Sequence, residues 1–319
     1  MSRVLVTGAT GFVGLNIVEA LHARGDEVIA VGHAQPSMTA YERCRGVTWE
    51  IADLTEGGAL EPLFAALKPE FVINGAALTP GLEREAAQAA QTVAVNIFAT
   101  QKTLNLAIKH GAKRFVHLSS ASAYGTPPSG APVMDELATP CDPHTVYSIT
   151  KFAAERLVLR RATDIPVCAA RLTSIFGPWE RGNPERETTS ALMELVRRAR
   201  RGDAAVLPRP HVRDWLYSRD MAAAVLALLD RDDGEPRIVN VAPGVARPLP
   251  DWCAALQKRY PKFTWRIGRP ADINVYSETD RPPLTTHLLN EVVGFRPRFN
   301  LESALDDYID WLDTTPGYG

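Results

Sequence analysis

Cysteine is scarce in this sequence: four residues among 319, Cys44, Cys141, Cys168 and Cys253, lie far apart and form neither a disulfide-rich framework nor a CxxC metal pair. A reducing cytoplasm is therefore the expected location. No grouping of His, Cys and acidic residues has metal-ligand spacing, so no metal is expected. Charge of one sign is also missing. Lys and Arg number 35 against 37 Asp and Glu, a formal net charge of −2, which gives no general attraction for nucleic acid or an anionic membrane. Long apolar runs are absent as well, none approaching the roughly 18 residues of a membrane span. The chain enters the strand-like run RVLVTG at Arg3, without the charged segment, apolar stretch and cleavage site of an export signal. There is neither an internal repeat nor a low-complexity linker. What the chain does have is a 45% apolar composition, enough to pack the core of one large domain and a smaller one. The expected partner is a small molecule.

From Arg3 to about Leu172, short β-rich runs alternate with helical stretches. RVLVTG, EVIAVG, VTWEIA, FVINGA, RFVHLS and PVCAARL are the candidate strands. Phe12 to Arg24 and Glu83 to His110 read as helices. This alternation predicts an α/β fold, a doubly wound parallel sheet of the Rossmann type with helices on both faces. At GPWERGNPER prolines and glycines interrupt regular structure and mark a transition. Residues 1–177 are thus assigned to a dinucleotide-binding domain, and 178–319 mainly to a smaller α/β substrate-binding domain whose chain can cross back to the sheet. Helices near Ser190 to Arg201, Ser218 to Asp230 and Leu301 to Leu312, and the short strand RIVNVA, are expected there.

The first strand–helix junction carries Gly8-Ala9-Thr10-Gly11-Phe12-Val13-Gly14. Its glycines allow a tight turn, close backbone approach and helix–strand packing, and the free N–H groups and dipole of the next helix can hold a pyrophosphate. Gly8, Thr10, Gly11, Phe12, Val13 and Gly14 are the candidate cofactor loop. The second strand ends in Gly32-His33, where an acid commonly binds both ribose hydroxyls. A small neutral residue at this point leaves space for a 2′-phosphate, and His33, Arg43 or Arg45 could supply positive charge. NAD or NADP is therefore expected, with NADP slightly favoured. Asp53-Leu54 follows the third strand, where a carboxylate and an amide could reach adenine, or the aspartate could cap a helix beginning near Gly57.

Tyr147 and Lys151 stand four residues apart in TVYSITKFAAERLVL, a helical stretch, so phenol and ammonium share one face. A lysine charge stabilises phenolate and lowers the tyrosine pKa from about 10, as a group that exchanges a proton with an alcohol requires. RFVHLSSASAYG ends in Ser119-Ser120, which places a hydroxyl at the carboxyl end of the sheet, where ligands bind in such folds. Ser120 could bond the reacting oxygen and orient Tyr147.

These segments together resemble the extended short-chain dehydrogenase/reductases, the NAD-dependent epimerase/dehydratase family, over nearly the whole chain. GATGFVG, Asp53-Leu54, Asn96 in TVAVNIFAT, LSSASAYG, YSITK and RLTSIFGP occur in the family order. The resemblance implies that Ser120, Tyr147 and Lys151 are catalytic. It also implies that Asn96 supports the active-site helices, that Ala76, Asn96, Tyr147 and Lys151 join the cofactor contacts, and that the protein is a homodimer through the helices bearing Asn96 and Tyr147.

Many members of the family act on nucleotide-linked sugars. RDWLY resembles the family's RDFxxV segment and RPAD its RPGD turn, so Arg213, Arg269 and Asp272 could grip a diphosphate through forked donors, or instead pair within the protein. Thr79, Ser120, Ser122 and Ser174 complete the candidate substrate contacts. Ser174 stands where the family has Asn, and LPRPHV replaces a GDGxQ turn, which points to an altered pocket and a smaller sugar, sugar acid or other carbohydrate-like alcohol. Ala121-Ser122 replaces the Asp-Glu pair of the dehydratases. His144 could reach the substrate or be structural, and Arg197 to Arg201 reads as a solvated helix face. The favoured activity is hydride transfer at a secondary alcohol or ketone of a carbohydrate-like substrate. A nucleotide-sugar epimerase with tightly bound NAD and a non-catalytic nucleotide-sensing protein are the alternatives.

Overall fold

Each apolar run singled out above forms a strand, because its β-branched and aliphatic side chains can be buried on both faces of a parallel sheet, except for VTWEIA at the sheet edge, whose strand residues are not buried. In the computed structural model, which describes residues 2–182, 189–235, 237–275, 280–315 and 317–318, these are β1 (Arg3–Thr7), β2 (Glu27–Gly32), β3 (Thr48–Ile51), β4 (Phe71–Asn74), β5 (Arg114–Ser120) and β6 (Val167–Leu172). A seventh strand, Arg237–Val241, is the RIVNVA run, so the chain does cross back from beyond residue 178. The order is Arg237–Val241, β6, β5, β4, β1, β2, β3, all parallel. The fold is the doubly wound Rossmann type. Strand order reverses between β1 and β4, and a crevice opens outside their carboxyl ends.

Alternate residues of each strand serve different cores. Val4, Val6, Val116 and Ala170 face α1 (Phe12–Arg24) and the helix Ser218–Leu229, whereas Leu5, Val72, Phe115 and Val167 face the helices Thr100–Lys109 and Val146–Leu159. The expected helix from Glu83 to His110 is one path with a defect. It comprises Glu85–Val93, a π-helical stretch Ala94–Ala99 and Thr100–Lys109. The wide turn carries Asn96, and π turns commonly mark functional sites. Helices Ala191–Arg201 and Leu301–Thr314 match expectation, and Leu249–Arg259 is an addition that proline at its start had obscured. No helix among the described residues is long and apolar enough to cross a membrane.

One ion pair lies wholly inside this frame. Arg171 on β6 and Glu155 on the helix Val146–Leu159 have side chains with no exposed surface. Arg171 donates from Nη2 to Glu155 Oε1 and from Nε to Oε2 (3.1 Å), and Ser119 Oγ of β5 donates to the same Oε2 (2.7 Å). The arginine also lies over the Tyr124 ring at 4.4 Å and donates to Cys141 Sγ (3.3 Å). The other three cysteines are buried thiols, pushed up by burial to about 11 for Cys44 and Cys168 and about 12 for Cys253. Removing one member of the pair strands the other charge in the core. Arg171→Leu is expected to lower the unfolding free energy by about 3–5 kcal/mol, and Arg171→Leu combined with Glu155→Leu to recover much of that loss. Urea unfolding of the three proteins checks this; a double variant no more stable than the single would contradict it.

Candidate active site

Six strand ends feed one cleft of about 930 Å³. Its walls are Gly8 and Thr10 to Gly14 after β1, Val31 to Gln35 at the end of β2, Ala52 to Leu54 after β3, Gly75 to Leu82 after β4, Leu118 to Ser120 of β5, and Leu172 to Ile175 of β6. This is the crevice where the topology calls for a ligand. The glycine loop is shaped for close approach. Gly8 has φ +69°, and a Cβ there would meet the Ala76 backbone at 2.8 Å; one at Gly14 would come within 2.1 Å of the Gly8 carbonyl oxygen. Gly11 is the N-cap of α1 and makes no side-chain cap bond, so the first N–H groups of that helix are presented to the cleft. A pyrophosphate fits this loop.

The helix Val146–Leu159 is started by a capping box: Ser148 N–H donates to Thr145 Oγ1 (3.1 Å) and Thr145 N–H to Ser148 Oγ (2.9 Å). Glu85, which also lines the cleft, accepts from Val146 N–H. The helix presents Tyr147 and Lys151 on its cleft face, with the lysine Nζ 5.9 Å from the tyrosine ring centre. Lys151 is buried and donates to the Leu118 carbonyl of β5 (2.8 Å). Burial pushes its ammonium down to about 8, with Glu155 opposing. Ser120 ends β5 facing the cleft. Its Oγ accepts from Ser122 N–H (3.1 Å) and Ser122 Oγ (2.9 Å), so its own proton is directed elsewhere, and its hydroxyl can serve as a donor. Ser120, Tyr147 and Lys151 therefore meet in one cleft.

Asn96 does not line the cleft; it braces it. Its amide accepts from Leu78 N–H (2.8 Å) and donates to the Leu78 carbonyl (3.1 Å) and to Thr150 Oγ1 (2.9 Å), which in turn donates to the Tyr147 carbonyl (2.8 Å). Behind it, Thr7 Oγ1 donates to Asn74 Oδ1 (2.8 Å), and Asn74 Nδ2 donates to Thr100 Oγ1 (3.0 Å) and to His117 Nδ1 (3.1 Å). His117 is fully buried. Burial, then the Lys151 charge, hold its imidazole well below the ordinary range, so it is neutral.

Of the other cofactor candidates, His33, Leu54 and Ala76 line the cleft. Asp53 does so while closing its own turn, its Oδ1 accepting from Thr55 Oγ1 (2.6 Å) and N–H (2.8 Å); these bonds, hydroxyl first, hold the carboxyl below the usual range. The helix that follows begins at Glu61, not near Gly57. The space expected beside Gly32 is filled by the Thr10 side chain. Arg43 is engaged by Glu19 (2.7 Å) and lies over Trp179 at 5.8 Å, and Arg45 is exposed away from the cleft lining.

At the substrate end Thr79 and Ser174 line the cleft, whereas Ser122 stands behind Ser120. Arg213, Arg269 and Asp272 are not among the lining residues. Asp272 is used within the protein, its Oδ1 accepting from Val206 N–H (2.8 Å) and its Oδ2 pairing with Arg198 (3.1 Å), and Arg269 is exposed. Arg213 sits half-buried beside Arg209, Arg281, Asp214 and Asp280; burial, then Arg281, push it down to about 10. His144 pairs with Asp142 on the surface (3.2 Å). Of the run read as a solvated face, Arg201 is exposed and pairs with Asp203 (2.8 Å), whereas Arg197, Arg198 and Arg200 are part-buried, Arg200 pairing with Asp313 (2.6 Å). Glu85, Gln91, Arg181 and Trp215 line the cleft without having been singled out. Trp215 belongs to the RDWLY segment, and the other three stand in no recognisable motif and are brought there by the chain path.

Fold and cleft define an NAD(P)-dependent enzyme of the short-chain dehydrogenase/reductase or sugar-epimerase class. Residues 4–242 match the NAD dependent epimerase/dehydratase family, and the chain belongs to it. A dTDP-L-rhamnose 4-epimerase of Burkholderia thailandensis is 26% identical over 97% of this chain and 94% of that protein. A dTDP-6-deoxy-L-talose 4-dehydrogenase (NAD(P)(+)) of Kitasatospora kifunensis is 28% identical over 99% and 97%. Among solved structures, MoeE5 in complex with UDP-glucose and NAD is 25% identical with a TM-score of 0.78, covering 98% of this chain and 99% of that one. UDP-glucose 4-epimerase of Thermotoga maritima, 21% identical with a TM-score of 0.82 over 98% of both chains, shares the fold.

The position of Lys151 makes a pH-dependent contribution to stability. Its folded pKa of about 8 lies below its ordinary 10.5. Below pH 8 both states carry the proton and the cost of burying the charge is constant. Between those values the unfolded chain binds more protons, so stability rises with pH. Relative to Lys151→Met, the wild type is expected to gain about 3 kcal/mol from pH 7 to 10.5, read by urea unfolding at each pH. A constant difference between the two proteins would contradict it.

Proposed function

We propose that this protein transfers a hydride between a nicotinamide cofactor and a secondary alcohol or ketone of a carbohydrate-like small molecule, with Tyr147 as general acid/base. The observation that carries this is the convergence of the Tyr147 phenol, the buried Lys151 ammonium and the Ser120 hydroxyl on the dinucleotide cleft. In the oxidation direction Tyr147, helped by the Lys151 charge, takes the hydroxyl proton while Ser120 donates to the developing carbonyl oxygen. The glycine loop and the strand ends would hold the dinucleotide, which would supply the hydride donor or acceptor. In reduction Tyr147 returns the proton.

A substrate smaller than a nucleotide sugar is supported by Arg269 and Asp272, which stand outside the cleft lining, and by Ser174 within it. Residues 178–319 are read as mainly the substrate-binding part, with Arg181, Thr189, Ser190 and Trp215 reaching the cleft lining and the Arg237–Val241 strand returned to the sheet. A homodimer is supported by exposed apolar residues on the helices bearing Asn96 and Tyr147: Phe98 is 61%, Ile149 48% and Leu157 41% exposed. The unpaired cysteines suit a reducing cytoplasm.

Tyr147→Phe is expected to lower turnover by about 10²–10⁴-fold with nucleotide affinity and melting temperature near wild type. Assays across sugars, sugar acids and polyols check it, and near-normal turnover would end the assignment.

A second reading, a nucleotide-sugar epimerase with retained NAD, is supported by the activities named for the relatives. An epimerase reoxidises its own cofactor and has no need to release it, whereas a dehydrogenase must exchange it. Denaturing the purified protein separates them: near-stoichiometric NAD in the supernatant favours the epimerase, and an empty protein that binds nucleotide reversibly favours the dehydrogenase or reductase.

A further inference from the structure

β2 ends at Gly32, where dinucleotide-binding folds commonly place an acid for the adenosine ribose. A Cβ built on Gly32 would lie 2.5 Å from Thr10 Cγ2 and 2.6 Å from Thr10 Oγ1, with the Ala34 carbonyl oxygen at 3.1 Å. Gly32 is not in the left-handed region, so space and not backbone conformation demands glycine here. The Thr10 side chain cannot simply turn away. Its Cβ carries two heavy branches over three staggered positions, and two of those positions crowd Gly32. Every χ1 rotamer of a β-branched residue therefore leaves at least one of them filled. A side chain at position 32 requires either a smaller residue at position 10 or movement of the glycine loop.

We propose that Thr10 and Gly32 act as a coupled pair that replaces the ribose-binding carboxylate with a neutral hydroxyl, so that the cleft accepts NAD and NADP with similar affinity. Both residues line the cleft. A carboxylate at the end of β2 accepts from two ribose hydroxyls and repels a 2′-phosphate, whereas the threonine hydroxyl can donate to a phosphate oxygen or accept from a ribose hydroxyl. His33 lines the same end of the cleft. Position 10 is thus the gate, and position 32 alone cannot be converted to the acidic type.

The test measures NAD and NADP affinity by calorimetry, with thermal melts as a folding check, for wild type, Thr10→Ala, Gly32→Asp, Thr10→Ala/Gly32→Asp and Thr10→Val/Gly32→Asp. Wild type should bind the two nucleotides within about tenfold of each other, and Thr10→Ala should weaken both by a similar factor of a few. Gly32→Asp alone should lose about tenfold or more for both, because the loop must move. Thr10→Ala/Gly32→Asp should regain NAD and bind NADP about a hundredfold less tightly, while the branched Thr10→Val/Gly32→Asp stays weak for both. Gly32→Asp binding NAD as wild type does while rejecting NADP would overturn the coupling. If that variant fails to fold, the others still decide: a wild type that discriminates by more than about a hundredfold, or Thr10→Ala without effect, would overturn the role of the hydroxyl.

Discussion

The buried Arg171–Glu155 pair is the constraint on which the site's geometry rests. It joins β6 to the helix that carries Tyr147 and Lys151, and Ser119 adds β5 one residue before Ser120. A helix packed on a sheet by aliphatic side chains alone can slide by small amounts at little cost, because apolar contact has no direction. Three directional bonds in a dry interior remove that freedom. Glu155 lies four residues, about one helical turn, beyond Lys151, so holding the former sets the latter against the Leu118 carbonyl. The geometry of the Tyr147–Lys151 face is inherited from a contact that lies outside the cleft lining.

A second polar path ties the cofactor side to the same helix. It runs from Thr7 at the end of β1, through Asn74 and Thr100, to Asn96 and then Thr150 under Tyr147. The same Thr7 hydroxyl accepts from Gly75 and Ala76 N–H, which fixes the strand end that passes Gly8. The glycine loop and the helix that carries Tyr147 are thereby held in one frame. A neutral His117 is part of the arrangement: a charged imidazole next to the buried Lys151 would add like-charge repulsion where no water can screen it.

The two ends of the cleft differ in how far they follow the family pattern. At the sheet end, the glycines, the Ser120 hydroxyl and the Tyr147–Lys151 helix come together in the family order at the strand ends. At the far end, two groups with the right motif, Arg269 and Asp272, sit outside the cleft lining, the latter taken up by Arg198 and Val206 N–H. An arginine or aspartate in a family-like tetrapeptide can equally well make a protein contact, so motif alone does not decide its use.

From the sequence alone came the strands, the parallel sheet, the glycine loop and the Tyr147–Lys151 face, since all depend on spacing along one or two turns or strands. The return of Arg237–Val241 to the sheet was readable only as an option. Tertiary structure decided the π turn at Asn96, the roles of Glu155 and His117, and the fate of Arg43, Arg269 and Asp272. It also decided that Thr10 fills the space beside Gly32. Those outcomes turn on contacts between residues distant in sequence, where a charge or a methyl group finds its neighbour only after the chain has crossed the sheet.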